Sequence, residues 1–184
     1  MAVEPGDLRT CLGHFATGVT VITCDEGEQV HGLTVNSFTA VSLSPPLVLV
    51  SIDRRAKALD KLRSNRFTVN VLSSEQAAHA QHFAGRPDAA LDLGWEEGPL
   101  GGRLRNCLAY VGCSPWRDYD GGDHVLFLGL VEQIEWCPSK PLLFYRGGFG
   151  SLSTFDEIER PLWESDATPG WMNAGGLVVP QLEP

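Results

Sequence analysis

The side chains here that can do or support chemistry are five histidines, five cysteines and one cluster of basic residues. His124 is the most definitely placed. It follows Gly121, Gly122 and Asp123 and opens a long apolar run, so it stands at the exposed end of a strand. A histidine there can hold a ligand or simply bond a backbone carbonyl, and spacing leaves both open. His79 and His82 lie i, i+3 on an expected helix without a third ligand, and His14 and His31 fall at element ends, so no metal site is expected. Cys11, Cys24, Cys107, Cys113 and Cys137 form no C-x-x-C and read as reduced, mostly buried thiols of a cytosolic protein. Arg54, Arg55, Lys57, Lys61, Arg63 and Arg66 are six of the 14 basic residues. They flank a strand-to-helix turn, where helix N–H groups and cations hold a phosphate, or where a helix presents a solvated face. There is no G-x-S-x-G, H-E-x-x-H, Walker loop or G-x-G-x-x-G after a strand.

The elements that must position these residues centre on the stretch from His31 to Ser51. Residues 31–42 alternate small polar and apolar side chains, as a strand with one solvated face does, and carry the short polar groups of Thr34, Asn36 and Ser37. Residues 47–52 are continuously apolar and β-branched, a strand buried on both faces. Pro45-Pro46 turns the chain between them. A polar strand edge beside a buried strand suits a flat, polar-rimmed ligand, although on pattern alone an ordinary hairpin with solvated Thr and Ser is the simpler reading.

Elsewhere, Asp7 is expected to cap a helix with Leu8, Cys11, Leu12 and Phe15 on one face, followed by a strand over 19–24. Ala56, Leu59 and Leu62 mark a short helix, and 67–72 a half-buried strand. Ser73 with Gln76 makes a capping box for a helix ending at Gly85. A surface loop packed by Trp95 is expected from Arg86 to about Arg103. Strands follow over 104–113, 124–136 and 141–146, with a turn at 116–123 and with Gly129 marking a bulge or a close backbone approach. From Ser153 the pattern weakens into a C-terminal arm packed through Phe155, Trp163 and Trp171 or ordered on a partner. The expected domains are residues 1–152 and this arm, 153–184. Six or more strands with few helices give a mainly β fold, a small antiparallel barrel with short helices at its rim. Such a barrel is filled by its own side chains, so a large ligand sits outside it and a dimer interface supplies the second wall.

At 184 residues with a net charge of −9, the chain has the composition of one soluble globular domain and is a poor partner for nucleic acid or anionic membrane. No apolar run reaches the roughly 20 residues of a membrane span, and no signal peptide is read at Met1–Asp7, which gives a cytoplasmic expectation.

Six stretches taken together carry a resemblance: Phe15 to Thr23, Gly32 to Phe38, Val41 to Val48, Phe67 to Leu72, Gly122 to His124, and Leu143 to Gly148. In this order, over about residues 8 to 150, the chain resembles the short-chain flavin reductases of two-component flavin-dependent monooxygenases. The resemblance implies an FMN-binding split β-barrel, homodimeric, that takes FAD or FMN non-covalently and NADH or NADPH as co-substrate, with a lean to FAD and NADH. It also implies that reduced flavin passes to a separate monooxygenase. By position, Thr34, Val35, Asn36 and Ser37 match the strand along the flavin ring and ribityl chain, with Ser51 and Ile52 in the next strand. Arg54, Ala56, Lys57 and Ala58 belong to the phosphate-side turn, where many relatives carry Ser or Thr in place of Lys57 and Ala58. Phe83, Ala84 and Arg86 flank the cofactor, and His124 and Tyr145 match the residues near the nicotinamide. Hydride transfer between two cofactors needs no side-chain nucleophile; it needs the rings held at about 3–3.5 Å with water excluded. Short hydroxyls and backbone N–H groups around Thr34–Ser37 would polarise the flavin N1–O2 edge. Two other functions fit the same barrel: a non-catalytic flavin carrier or sensor, and an FMN-dependent oxidase of the pyridoxamine-phosphate type.

Overall fold

A computed structural model describes residues 2–26 and 29–153, and the expected arm with Phe155, Trp163 and Trp171 lies outside them. In chain order the elements are α1 (Pro5–Leu12), β1 (Thr17–Gly18), β2 (Thr20–Glu26), β3 (Gln29–Val35), β4 (Thr39–Leu43), β5 (Pro46–Asp53), α2 (Leu59–Ser64) and β6 (Phe67–Val71). A 3-10 turn at Ser74–Gln76 leads into α3 (Ala77–Phe83), then β7 (Trp95–Gly98), β8 (Gly101–Leu104), β9 (Ala109–Gly121), β10 (His124–Trp136), β11 (Leu142–Tyr145) and β12 (Gly148–Ser151). The fold is mainly β. One seven-stranded antiparallel sheet runs β3-β2-β6-β9-β10-β5-β4, with smaller sheets β1-β11-β12 and β7-β8.

Hydrophobic burial divides the core across this sheet. Ile22, Cys24, Val50, Ile52, Phe67, Val69, Val125 and Phe127 fill one side, closed at one end by Leu59 and Leu62 of α2. Val19, Val21, Leu72, Ala80, Leu104, Tyr110 and Leu142 fill the other, under α3 and the β7–β8 hairpin. Gly129 shows both features expected of it. The β9–β10 register shifts beside it, and a Cβ there would lie 2.6 Å from the Phe67 ring.

Several expectations need correction. The polar run 31–42 is two strands, not one. β3 pairs with β2 and β4 pairs with β5, so the run leaves one edge of the sheet and joins the other. Residues 36–38 make that crossing, and Phe38 packs into the first core. The two edges share no backbone ladder, so the expected barrel is not closed among the described residues. α1 begins at Pro5, with Glu4 rather than Asp7 at its N-cap, because proline at the first helical position already fixes φ. The loop through Trp95 contains the β7–β8 hairpin, and the 116–123 turn shrinks to Gly122-Asp123 because β9 runs on to Gly121. The Ser73–Gln76 capping box forms as expected.

All five cysteines are free. Cys24, Cys107 and Cys113 are buried, and burial pushes the last two thiols up to about 12 because the thiolate is poorly solvated there. Cys11 and Cys137 are exposed. A maleimide reagent at neutral pH is therefore expected to label two thiols per native chain and five after denaturation. Rapid native labelling of a third would contradict the burial.

Candidate functional site

The β3-to-β4 crossing creates a groove of about 510 Å³ of empty volume, open to solvent. Leu33, Thr34, Val35, Asn36 and Ser37 form one wall; Ser51, Ile52 and Asp53 form the other, and Ala56 and His124 line it as well. Edge position supplies its polarity. β3 has β2 on one side only, so every second residue directs unpaired backbone groups outward. Ser37 then links the two walls. Its Oγ donates to the Ser51 carbonyl and accepts from the Ser51 N–H, both at 2.9 Å. One hydroxyl thus takes the place of a missing strand neighbour.

Thr34 Oγ1 donates to the Ala80 carbonyl at 2.8 Å and ties β3 to α3. The donor hydrogens of Thr34 and Ser37 are thus committed to the protein. The polar groups left to a ligand on this wall are the exposed Asn36 side chain and the outward backbone groups.

His124 faces Asp53 across the β10–β5 ladder. Its Nδ1 lies 2.7 Å from Asp123 Oδ1. Hydrogen bonds from Arg55 hold the Asp53 carboxyl well below the usual carboxylate range, and the His124 hydrogen bond lowers that of Asp123. The imidazole is therefore bonded to one ionised carboxylate, Asp123, and stands across the ladder from a second, Asp53, whose charge is paired by Arg55.

The basic cluster is not a uniform phosphate patch. Arg54 pairs with Asp120, Arg55 with Asp53, Arg63 with Asp60 and Asp118, and Arg66 with Glu132. Lys61 Nζ lies 2.9 Å from His31 Nε2. Among the described residues Lys57 has no ion pair, and the N–H groups of Lys57 and Ala58 donate to no backbone carbonyl. The Ala58 side chain packs on the first core.

The remaining expected residues lie outside the groove lining. Phe83 packs over Gly32 of β3 and beside Trp95, their ring centroids 5.9 Å apart; a Cβ on Gly32 would meet the Phe83 ring at 2.4 Å, so only glycine admits it. Ala84 and Arg86 are exposed. Tyr145, on β11, sets its ring edge-on to His14. Leu33 and Asp53 line the groove without having been singled out from sequence. Asp53 closes β5, which buries one face and leaves the other half-buried rather than burying both as expected, and its pairing with His124, 71 positions along the chain, has no local signal.

Residues 12–153 match the family model described as "Flavin reductase like domain". The chain is 42% identical over 165 residues to an NADH-dependent flavin reductase of a Rhodococcus species, covering 85% of this chain and 92% of that one. It is 40% identical over 170 residues to HsaB, the reductase subunit of a flavin-dependent monooxygenase of Rhodococcus jostii (strain RHA1), covering 90% and 86%. The structure of the flavin reductase PheA2 in its native state superposes with a TM-score of 0.79 at 39% identity, covering 83% of this chain and 100% of that one.

Proposed function

The chain belongs to the flavin reductase like domain family, and on that premise we propose that it is an NADH-dependent flavin reductase, reducing FAD or FMN for release to a separate monooxygenase. The observation that carries this reading is the groove itself: residues 34–37, Ser51, Ile52, Ala56 and His124, scattered over 91 positions of sequence, line one cleft. Bound flavin and NADH would supply the hydride chemistry, and the reaction asks no side-chain nucleophile of the protein.

The protein's part is to bind, orient and polarise. Asn36 and the outward backbone of β3 hold the polar edge of the flavin. Lys57, with the N–H groups of Lys57 and Ala58, holds its phosphate end, a role the engaged guanidiniums of Arg54 and Arg55 leave to it. His124 holds the nicotinamide or its ribose-phosphate. The carboxylate of Asp123 bonded to it favours the positive charge that grows as the hydride departs.

A second copy of the chain completes the site in this reading, giving the split-barrel homodimer. Leu47 and Leu130, Leu49 and Leu128, and Ser51 and Leu126 are paired rungs on one face of the sheet, and the next rung is Asp53 with His124. A half-exposed apolar stripe thus runs into the groove, and a partner seated on it walls the ligand from water. Tyr145, half exposed outside the groove, keeps its nicotinamide role only if that partner brings it there.

Purified protein is expected to consume NADH rapidly when FAD or FMN is added. Tight flavin binding without NADH consumption would identify a carrier instead. His124→Ala is expected to raise KM for NADH about tenfold with flavin affinity intact; an unchanged kcat/KM for NADH removes the nicotinamide role.

A further inference from the structure

Arg54 follows β5 directly and falls in the stretch that the family resemblance assigns to the phosphate, yet its bonds run to the β9–β10 turn. Its backbone N–H donates to the Asp123 carbonyl at 3.1 Å, its Nε to the Gly122 carbonyl at 2.7 Å, and its Nη2 to Asp120 Oδ2 at 2.6 Å. The other oxygen of Asp120 accepts the Gly122 N–H at 2.9 Å. Gly122, at φ +80°, is therefore held at its N–H by Asp120 and at its carbonyl by Arg54.

Among the described residues, these bonds and the last rung of the β9–β10 ladder hold the turn, and a Cβ added at Gly122 would meet nothing within 4 Å. Gly121, Gly122 and Asp123 are all exposed. An exposed glycine turn without core contacts samples several backbone conformations unless hydrogen bonds select one. The residue that follows is His124, whose imidazole is bonded by Asp123 from within the turn. An exposed ion pair such as Arg54–Asp120 adds little to global stability, so its consequence is local: the position and ring orientation of His124.

We propose that Arg54 is a positioning residue, clamping the Gly122-Asp123 turn so that His124 stands at the groove in the orientation that binds the nicotinamide nucleotide. The inference rests on the nicotinamide role given to His124 above.

The test compares Arg54→Met, Arg54→Lys, His124→Ala and the Arg54→Met/His124→Ala double variant, by KM and kcat for NADH, flavin dissociation constant and melting temperature. Arg54→Met is expected to raise KM for NADH about fivefold, with flavin affinity within about twofold and the melting temperature nearly unchanged. Arg54→Lys, which keeps the charge and part of the clamp, falls between it and the parent. The double variant is expected to be no worse than His124→Ala alone, because both changes act through one imidazole. If Arg54→Met does not fold, Asp120→Asn, which loosens the same clamp, is read in the same way. Weaker flavin binding with unchanged KM for NADH would make Arg54 a flavin phosphate ligand and overturn the inference, as would additive effects in the double variant. A raised KM in His124→Ala with no change in Arg54→Met removes this inference alone. An unchanged KM in His124→Ala removes the nicotinamide reading and this inference with it.

Discussion

Replacing Asn70 by Ala is expected to destabilise the protein by about 3–5 kcal/mol, a large part of the 5–15 kcal/mol by which domains of this size are usually stable. Asn70 is fully buried. Its Nδ2 donates to the Val21 carbonyl at 2.9 Å, to Thr23 Oγ1 at 3.0 Å and to the Thr68 carbonyl at 3.3 Å, and its Oδ1 accepts the Leu104 N–H at 2.9 Å. Thr23 Oγ1 in turn donates to the Gly102 carbonyl at 2.8 Å. One amide thus joins β2, β6 and β8. Truncation leaves a buried donor and buried acceptors without partners and opens a void, costs that add. The midpoint of urea unfolding should fall with its slope unchanged.

Asn70→Asp sharpens the case. The introduced carboxylate would face acceptor oxygens that it cannot satisfy, so its pKa rises above the ordinary value. The folded state then binds a proton that the unfolded state does not. Stability of this variant should therefore improve as pH falls from 7 towards about 5, opposite to the usual acid trend. A midpoint for Asn70→Ala within experimental error of the parent would show that water replaces the network.

Asn70 also marks where sequence reading stops. The alternation Phe67-Thr-Val-Asn-Val71 gives the strand and its apolar face correctly, but it makes Thr68 and Asn70 look solvated. Both are buried, because β8, some 30 residues later, lies against that face. Its bonds to Thr23 and Asn70 belong to the tertiary fold and leave no trace in the local period. Local signals for β8 are also weak: Trp95-Glu-Glu-Gly98 and Gly101-Gly-Arg-Leu104 are not β-branched runs, and Pro99-Leu100 between them is not one of the residue pairs that mark a two-residue hairpin.

The same division holds at the groove. The family resemblance marked Thr34 to Ser37, Ser51, Ile52, Ala56 and His124, and these residues line one cleft. Their individual contacts were not legible. The basic run from Arg54 to Arg66 reads as a phosphate site or a solvated helix face until the acidic partners distant in sequence are in place: Asp118 and Asp120 on β9, Glu132 on β10. Pairing across a sheet is set by register over long separations, and a periodic pattern fixes only which face a side chain takes.

Ser37→Ala is expected to weaken flavin binding about tenfold, equivalent to ~1.4 kcal/mol, although the hydroxyl's donor and acceptor roles shown here are both within the protein. Ser37 Oγ satisfies both the N–H and the carbonyl of Ser51, so its removal leaves the two walls of the groove without their link. The cost to folding should be about 1–2 kcal/mol, because these edge groups can be rehydrated. The larger relative loss falls on the ligand, which must then reorder the crossing at 36–38 as it binds. Ser37→Thr, which keeps the hydroxyl, should stay close to the parent, whereas Ser37→Val, with similar bulk and no hydroxyl, should behave like the alanine variant. Flavin titration by fluorescence quenching separates these outcomes. If alanine and threonine variants bind flavin alike, groove width is set by β3 and β5 themselves, and the link between them is incidental to the ligand.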